Sequence, residues 1–262
     1  ATRIPALIMG NAVIFKPARF GVLLYEPLLD AFRDSFPKGV VNMLYGDGEK
    51  VILPLMRTGR IDVLAFIGSS RVANILKGSH PRLHRLRGVL GLEAKNAAII
   101  LEDTDMETAV IETLLGSLSF NGQRCTALKI LFVHENIAET FIKRFSAALS
   151  DLKKGMPWEE KVKLTPLPED GKIEYLTGLV NDAVSHGASI VNEKGGEFAG
   201  TFFYPAVLFP VTSSMRVYHE EQFGPVVPIV PFKDIEVPIR YVVDSNYGQQ
   251  LSIFGRDTGR IA

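Results

Sequence analysis

Apolar residues along the chain alternate between short unbroken runs and stripes spaced three to four apart, the pattern of an α/β protein. NAVIFK (11–16), after Gly10, reads as a strand. Residues 22–36 read as mostly helical, with Pro27 in the first turn or kinking it. Residues 40–45 predict a second strand, 49–57 a helix, 62–67 (DVLAFI) a third strand and 69–77 a helix. This βαβαβα order implies a parallel sheet with right-handed crossovers.

A second section opens with the strand-like AAIIL at 97–101. Thr104-Asp105-Met106-Glu107 has the form of a capping box, and the helix behind it places Met106, Val110, Leu114 and Leu118 on one face. KILFV (129–133) predicts a strand, and Ile137, Phe141, Phe145 and Leu149 mark the next helix. A proline-bearing loop holds the only tryptophan, Trp158. A helix over 173–185, the strand ASIV (188–191) and the late strands FFYPAVLF, VVPIVPF and LSIFG follow, and DTGRIA reads as the start of another helix. No internal repeat or low-complexity tract interrupts the series.

Length and an apolar fraction of 47% allow one large or two ordinary domains with a real core. Lys plus Arg equals Asp plus Glu at 29 each, so whole-protein charge gives no reason to expect nucleic acid as a partner. No apolar run reaches the roughly 18 residues of a membrane helix, and no charged leader precedes an apolar stretch. A single cysteine excludes an internal disulfide and fits a reducing, cytoplasmic setting.

That cysteine stands in FNGQRCT (120–126), between a helix and a strand. A thiolate is the attacking form of cysteine, and Arg124 beside it supplies positive charge. Gly122 lets the backbone turn tightly and approach a substrate, and the Cys125 N–H could face a developing oxyanion. The competing reading is a buried cysteine acting as a small hydrophobe.

FNGQRCT resembles the active-site motif of the aldehyde dehydrogenase superfamily, and further segments resemble it in the same order: GNAVIFKPAR, FPKGVVNMLYGDG, VLAFIGSS, LEAKNAAIILEDTD, EEQFGPVVPIVPF and NYGQQLSIFGRD. Gln-Arg-Cys-Thr with AIILEDTD leans toward the NADP-dependent, non-phosphorylating glyceraldehyde-3-phosphate dehydrogenases within it. The resemblance implies a Rossmann-like parallel-sheet cofactor domain over 1–93 and an α/β catalytic domain over 94–262. It implies that Cys125 attacks an aldehyde, that hydride passes to a nicotinamide, and that the thioester is hydrolysed by an activated water.

The resemblance places Lys16 against the adenosine ribose and Gly68 and Ser69 at a helix N-terminus that holds the pyrophosphate. Ala73 stands where the family often has a second glycine. Arg19 occupies a position that is glutamate in many NAD-using relatives, and an arginine there favours a 2′-phosphate, hence NADP with NAD possible. Glu221 and Phe223 match the residues at the nicotinamide ribose and ring. Arg124 either pairs with a substrate phosphate or tunes the thiol locally.

Three departures accompany the match. Gly91 occupies the position of the usual general-base glutamate, and Glu93 lies two residues on, on the same side of an extended segment. The oxyanion-hole asparagine of the family lies upstream of position 1. The C-terminal segments that close the substrate pocket and help dimers form lie beyond position 262, so the chain reads as an internal fragment of a homodimeric or homotetrameric parent. Expected partners are a small aldehyde, with no nucleic acid, membrane or metal. Glyceraldehyde 3-phosphate is the preferred aldehyde, lactaldehyde and succinic semialdehyde the alternatives. The rivals are a fragment that folds or binds nucleotide without turnover, and a cysteine hydrolase.

Overall fold

A computed structural model describes residues 2–261 and divides into two compact units, Ala1–Leu92 and Glu93–Ala262.

The first unit runs α1 (Arg3–Ile8), β1 (Val13–Phe15), a 3-10 stretch (Arg19–Leu28), α2 (Leu29–Ser35), β2 (Val41–Met43), α3 (Gly48–Arg57), β3 (Val63–Ile67), α4 (Ser70–Gly78) and β4 (Arg87–Gly91). The helix expected over 22–36 is largely 3-10, with a kink at Gly21, and becomes α-helical only at Leu29. Pro27 lacks the N–H that an α-helical bond requires, which delays the regular helix until the proline is passed. The strands form two parallel pairs, β1 with β2 (Val13 opposite Val41) and β3 with β4 (Val63 opposite Arg87), in place of the single sheet expected. Met56, Leu64 and Leu76 make the buried core, with Ile52, Phe66 and Leu90 against it.

The second unit runs β5 (Ala97–Ile100), α5 (Met106–Leu118), β6 (Ile130–His134), α6 (Glu135–Ser150), α7 (Lys172–Ser185), β7 (Ser189–Ile190), β8 (Phe198–Ala199), β9 (Phe202–Phe203), β10 (Ala206–Phe209), α8 (Arg216–His219), β11 (Val226–Phe232), α9 (Glu236–Asp244), β12 (Leu251–Phe254) and α10 (Thr258–Ile261). Six strands form one sheet in the order β12-β5-β6-β11-β10-β7, parallel throughout except for β7 at one edge. The strands β8 and β9 make a separate hairpin.

The central strands are apolar without alternation because both faces of the sheet are covered. Ile130 and Phe132 pack into one core with Leu176, Val180 and Val217, from α7 and α8. Leu131 and Val133 pack into the other with Leu114, Phe141 and Phe145, from α5 and α6. Successive residues of β6 thus alternate between cores, as the pleat requires.

Two local expectations are corrected. The N-cap of α5 is Asp105, whose carboxylate accepts from Thr108 N at 2.9 Å, one residue later than the Thr104 capping box predicts. The run FFYPAVLF is split at Pro205 into β9 and β10, since proline cannot donate to a ladder. Among the described residues no helix is long and apolar enough to cross a membrane.

Candidate active site

The cysteine loop begins where α5 stops. Phe120, Asn121 and Gly122 take positive φ in succession (54°, 58° and 69°), so the chain reverses within three residues. Left-handed phenylalanine and asparagine are strained, and such strain needs outside support. Asn121 supplies it by pairing with Thr165: its Nδ2 donates to Thr165 Oγ1 and its Oδ1 accepts from Thr165 N, both at 2.9 Å. Gln123 Nε2 donates to Glu169 Oε2 at 2.6 Å.

Gly122 has a close neighbour of its own. A Cβ there would stand 2.7 Å from Ser117 O and 2.8 Å from Gly224 O. The glycine therefore allows approach to the backbone of the Glu-Gln-Phe-Gly-Pro segment, where the sequence suggested approach to a substrate. Two segments nearly a hundred residues apart are thus brought together through backbone alone.

The loop's carbonyls are turned toward the protein interior. Asn96 Nδ2 donates to Cys125 O at 2.7 Å and to Ala127 O at 2.8 Å. Lys129 Nζ donates to Arg124 O at 2.8 Å. Cys125 itself is exposed, which contradicts the reading of a buried small hydrophobe. Arg124 is half-buried, with its guanidinium 5.5 Å from the Phe120 ring centroid. Its Nε is buried with no hydrogen-bond partner among the described residues.

Glu221 lies on the same cluster. Its Oε1 accepts from Ala94 N at 3.1 Å and from Lys129 Nζ at 2.5 Å. Tyr175 OH donates to Glu221 O at 2.8 Å, and burial, with Glu220 beside it, pushes this phenol up to about 12. Phe223 has a φ of 40°, and the ammonium groups of Lys129 and Lys172 lie 4.9 and 5.7 Å from its ring centroid. Burial lowers the Lys172 proton affinity, opposed by Glu169 and Glu221. Glu93 is half-buried beside Tyr247, whose phenol is raised first by burial and then by the carboxylates of Glu93, Glu221 and Glu220.

Lys95 is 2% exposed, and its Nζ donates to Glu220 O and Gln222 Oε1, both at 2.7 Å. Burial, and then the neighbouring Lys129, hold its proton affinity well below the usual lysine range, against the opposite pull of Glu221 and Glu220. The folded state therefore binds fewer protons here than the unfolded chain, and this residue's contribution to stability rises with pH between its lowered folded value and about 10.4. The expected result is that wild-type stability relative to Lys95→Met improves as the pH is raised toward about 10 in urea unfolding. A difference that stays flat would contradict a charged-state penalty at Lys95.

In the first unit, Lys16 follows β1 and its Nζ donates to Pro17 O at 3.1 Å. Arg19 is exposed, with its guanidinium 5.3 Å from the Phe20 ring centroid. Gly68 follows β3, and its N–H donates to Gly91 O at 3.1 Å. Ser69 is the N-cap of α4, its Oγ accepting from Val72 N at 3.3 Å. Ala73 is buried one turn on. Gly91 is the last residue of β4, where a Cβ would meet only Ile67 Cγ1 at 3.5 Å, so a side chain fits.

Of the residues singled out from the sequence, Arg124, Cys125, Glu221 and Phe223 converge. Lys129, Lys95, Asn96 and Asn121 join them without having been anticipated. The available signal was weak: a lysine opening an otherwise apolar strand run, four residues after the cysteine.

Residues 2–262 match the aldehyde dehydrogenase family. An NADP-dependent glyceraldehyde-3-phosphate dehydrogenase of Zea mays is 33% identical over 259 residues, 98% of this chain and 50% of that protein. A 3-sulfolactaldehyde dehydrogenase of Priestia aryabhattai is 32% identical over 256 residues, 97% of this chain and 52% of that protein. A crystal structure of NADP-dependent glyceraldehyde-3-phosphate dehydrogenase from Bacillus halodurans, complexed with NADP, superposes with a TM-score of 0.91 at 33% identity, covering 98% of this chain and 53% of that one. The chain spans about half the length of the curated relatives it matches. With the family matched over residues 2–262 and the fold shared with a solved relative, the chain belongs to the aldehyde dehydrogenase family.

Proposed function

We propose that the protein oxidises an aldehyde to a carboxylic acid with NADP, Cys125 being the nucleophile. The observation that carries this is the exposed Cys125 thiol on a loop whose carbonyls are held from behind by Asn96 and Lys129. A trans peptide directs its C=O and N–H to opposite sides. With Arg124 O turned inward, the Cys125 N–H points outward, where an oxyanion would form.

Each unit, taken by itself, holds groups that suit one part of a dinucleotide. Both donors to Glu221 use Oε1, which leaves Oε2 for a ribose hydroxyl. The N-terminus of α4, capped by Ser69, suits a pyrophosphate, and the exposed Arg19 suits a 2′-phosphate. In this reading Lys16 takes the adenosine ribose and Phe223 the nicotinamide ring, the roles that the sequence resemblance implies. Bound NADP would supply the hydride acceptor.

The Cys125 thiolate adds to the aldehyde carbon to form a thiohemiacetal, its oxyanion accepting from the Cys125 N–H. Loss of hydride from that carbon leaves a thioester. Water then attacks the acyl carbon, releasing the acid and restoring the thiol, with Glu93 as the base that takes the water proton. Relatives named for glyceraldehyde 3-phosphate and for 3-sulfolactaldehyde both act on anionic aldehydes. The half-buried Arg124, next to Cys125, offers a guanidinium to such an anionic group, and glyceraldehyde 3-phosphate is the substrate proposed.

The test is reduction of NADP and of NAD by the protein with glyceraldehyde 3-phosphate, beside Arg19→Glu. The expected result is a preference for NADP in wild type that falls by about tenfold or more in the variant. A preference unmoved by the substitution would remove Arg19 from the cofactor site. Absence of reduction with either nucleotide would remove the proposed activity.

A further inference from the structure

We propose that Lys129 is a positioning residue that couples the cofactor carboxylate to the nucleophile loop; this rests on the dehydrogenase reading above. Lys129 is among the largest fully buried side chains, and a buried ammonium is stable only when its donors are used. Its Nζ donates to Glu221 Oε1 and to Arg124 O, and lies over the Phe223 ring. One cation thus touches the segment on either side of the active centre, Glu221 to Phe223 and Arg124 to Cys125.

Each contact has its own consequence. The bond to Glu221 fixes one carboxylate oxygen and so orients the other. The cation over Phe223 supports a ring on a left-handed backbone, a conformation that phenylalanine does not hold unaided. The bond to Arg124 O is charge-assisted, and it draws electron density from the Arg124–Cys125 peptide. That makes the Cys125 N–H a stronger donor toward an oxyanion. Lys129 touches neither substrate nor cofactor in this scheme and acts through its three neighbours.

The contacts predict a split in the kinetics. Glu221→Gln should raise the KM for NADP by about threefold or more with a smaller effect on kcat. Lys129→Met should raise that KM similarly and also lower kcat by about tenfold, less than removal of an oxyanion donor itself costs. The double variant should have the KM of Glu221→Gln and the kcat of Lys129→Met, because Lys129 reaches the cofactor through that carboxylate. Wild-type reduction of NADP that disappears in Cys125→Ala is the separate check on the dehydrogenase reading. With that check passed, a folded Lys129→Met within about twofold of wild type in both constants overturns the coupling, as do additive KM changes in the double variant.

Should Lys129→Met fail to fold, Glu221→Gln alone carries the test. An ammonium released from its carboxylate draws harder on Arg124 O, and iodoacetamide should alkylate Cys125 about twofold faster or more at fixed pH. An unchanged rate would overturn the proposal.

Discussion

Alanine at position 122 is expected to destabilise the second unit by about 3 kcal/mol and to lower aldehyde turnover by about two orders of magnitude. Two penalties combine. Gly122 has a φ of 69°, which costs an L-residue about 1 kcal/mol or more. The added methyl would also stand 2.7 Å from Ser117 O and 2.8 Å from Gly224 O, both backbone atoms that cannot swing aside. Relief requires the cysteine loop to move off the Glu-Gln-Phe-Gly-Pro segment, and a shift of about 1 Å there misplaces the nucleophile.

Gly171 provides the control. It has nearly the same backbone, with a φ of 73°, but nothing lies within 4 Å of the position of its Cβ. Gly171→Ala should therefore show only the backbone cost, about 1 kcal/mol, and near wild-type turnover. Urea unfolding and steady-state rates of the two variants decide the matter. Equal losses would mean that the approach to Gly224 carries no energetic weight.

Cys125→Ala is expected to reduce turnover by roughly four orders of magnitude while leaving stability within about 0.5 kcal/mol of wild type. The second half follows from exposure: the loop is held by backbone carbonyls and by Asn121, and the thiol contributes to none of those bonds. Cys125→Ser should be nearly as inactive, because a hydroxyl lacks the acidity of a thiol. Loss of fold in either variant would instead mark the cysteine as structural. The pairing of a large kinetic loss with a negligible stability change is what separates a nucleophile from a packing residue.

The strands of the second unit were readable because burial on both faces leaves an unbroken apolar run, as in β5 and β6. The stripe Phe141, Phe145 and Leu149 was readable for the complementary reason, one buried helix face. β4 escaped notice because RGVLG has glycine at two of five positions and too few side chains to show a period. α9 escaped because Pro238 sits in its first turn and reads as a breaker, although a first-turn proline loses no helical bond.

The site divides in the same way. Cys125, Arg124, Glu221 and Phe223 announce themselves through local motifs. Lys129 does not, because what makes it matter is a carboxylate 92 positions away. Lys95 likewise depends on a partner 127 positions away. Buried cations are legible only once their partners are known, since an unpaired one would not be buried at all. Gly122 was recognised as a tight turn, but the atom it makes room for belongs to Gly224.

The most direct test of the central claim is the fate of Cys125 during turnover. The protein is mixed with glyceraldehyde 3-phosphate and NADP, quenched in acid within a turnover, and the peptide carrying Cys125 is examined by mass spectrometry. An acyl adduct on Cys125 that requires NADP and disappears with Cys125→Ala is the predicted result. NADPH formed at an undiminished rate by Cys125→Ala would contradict it.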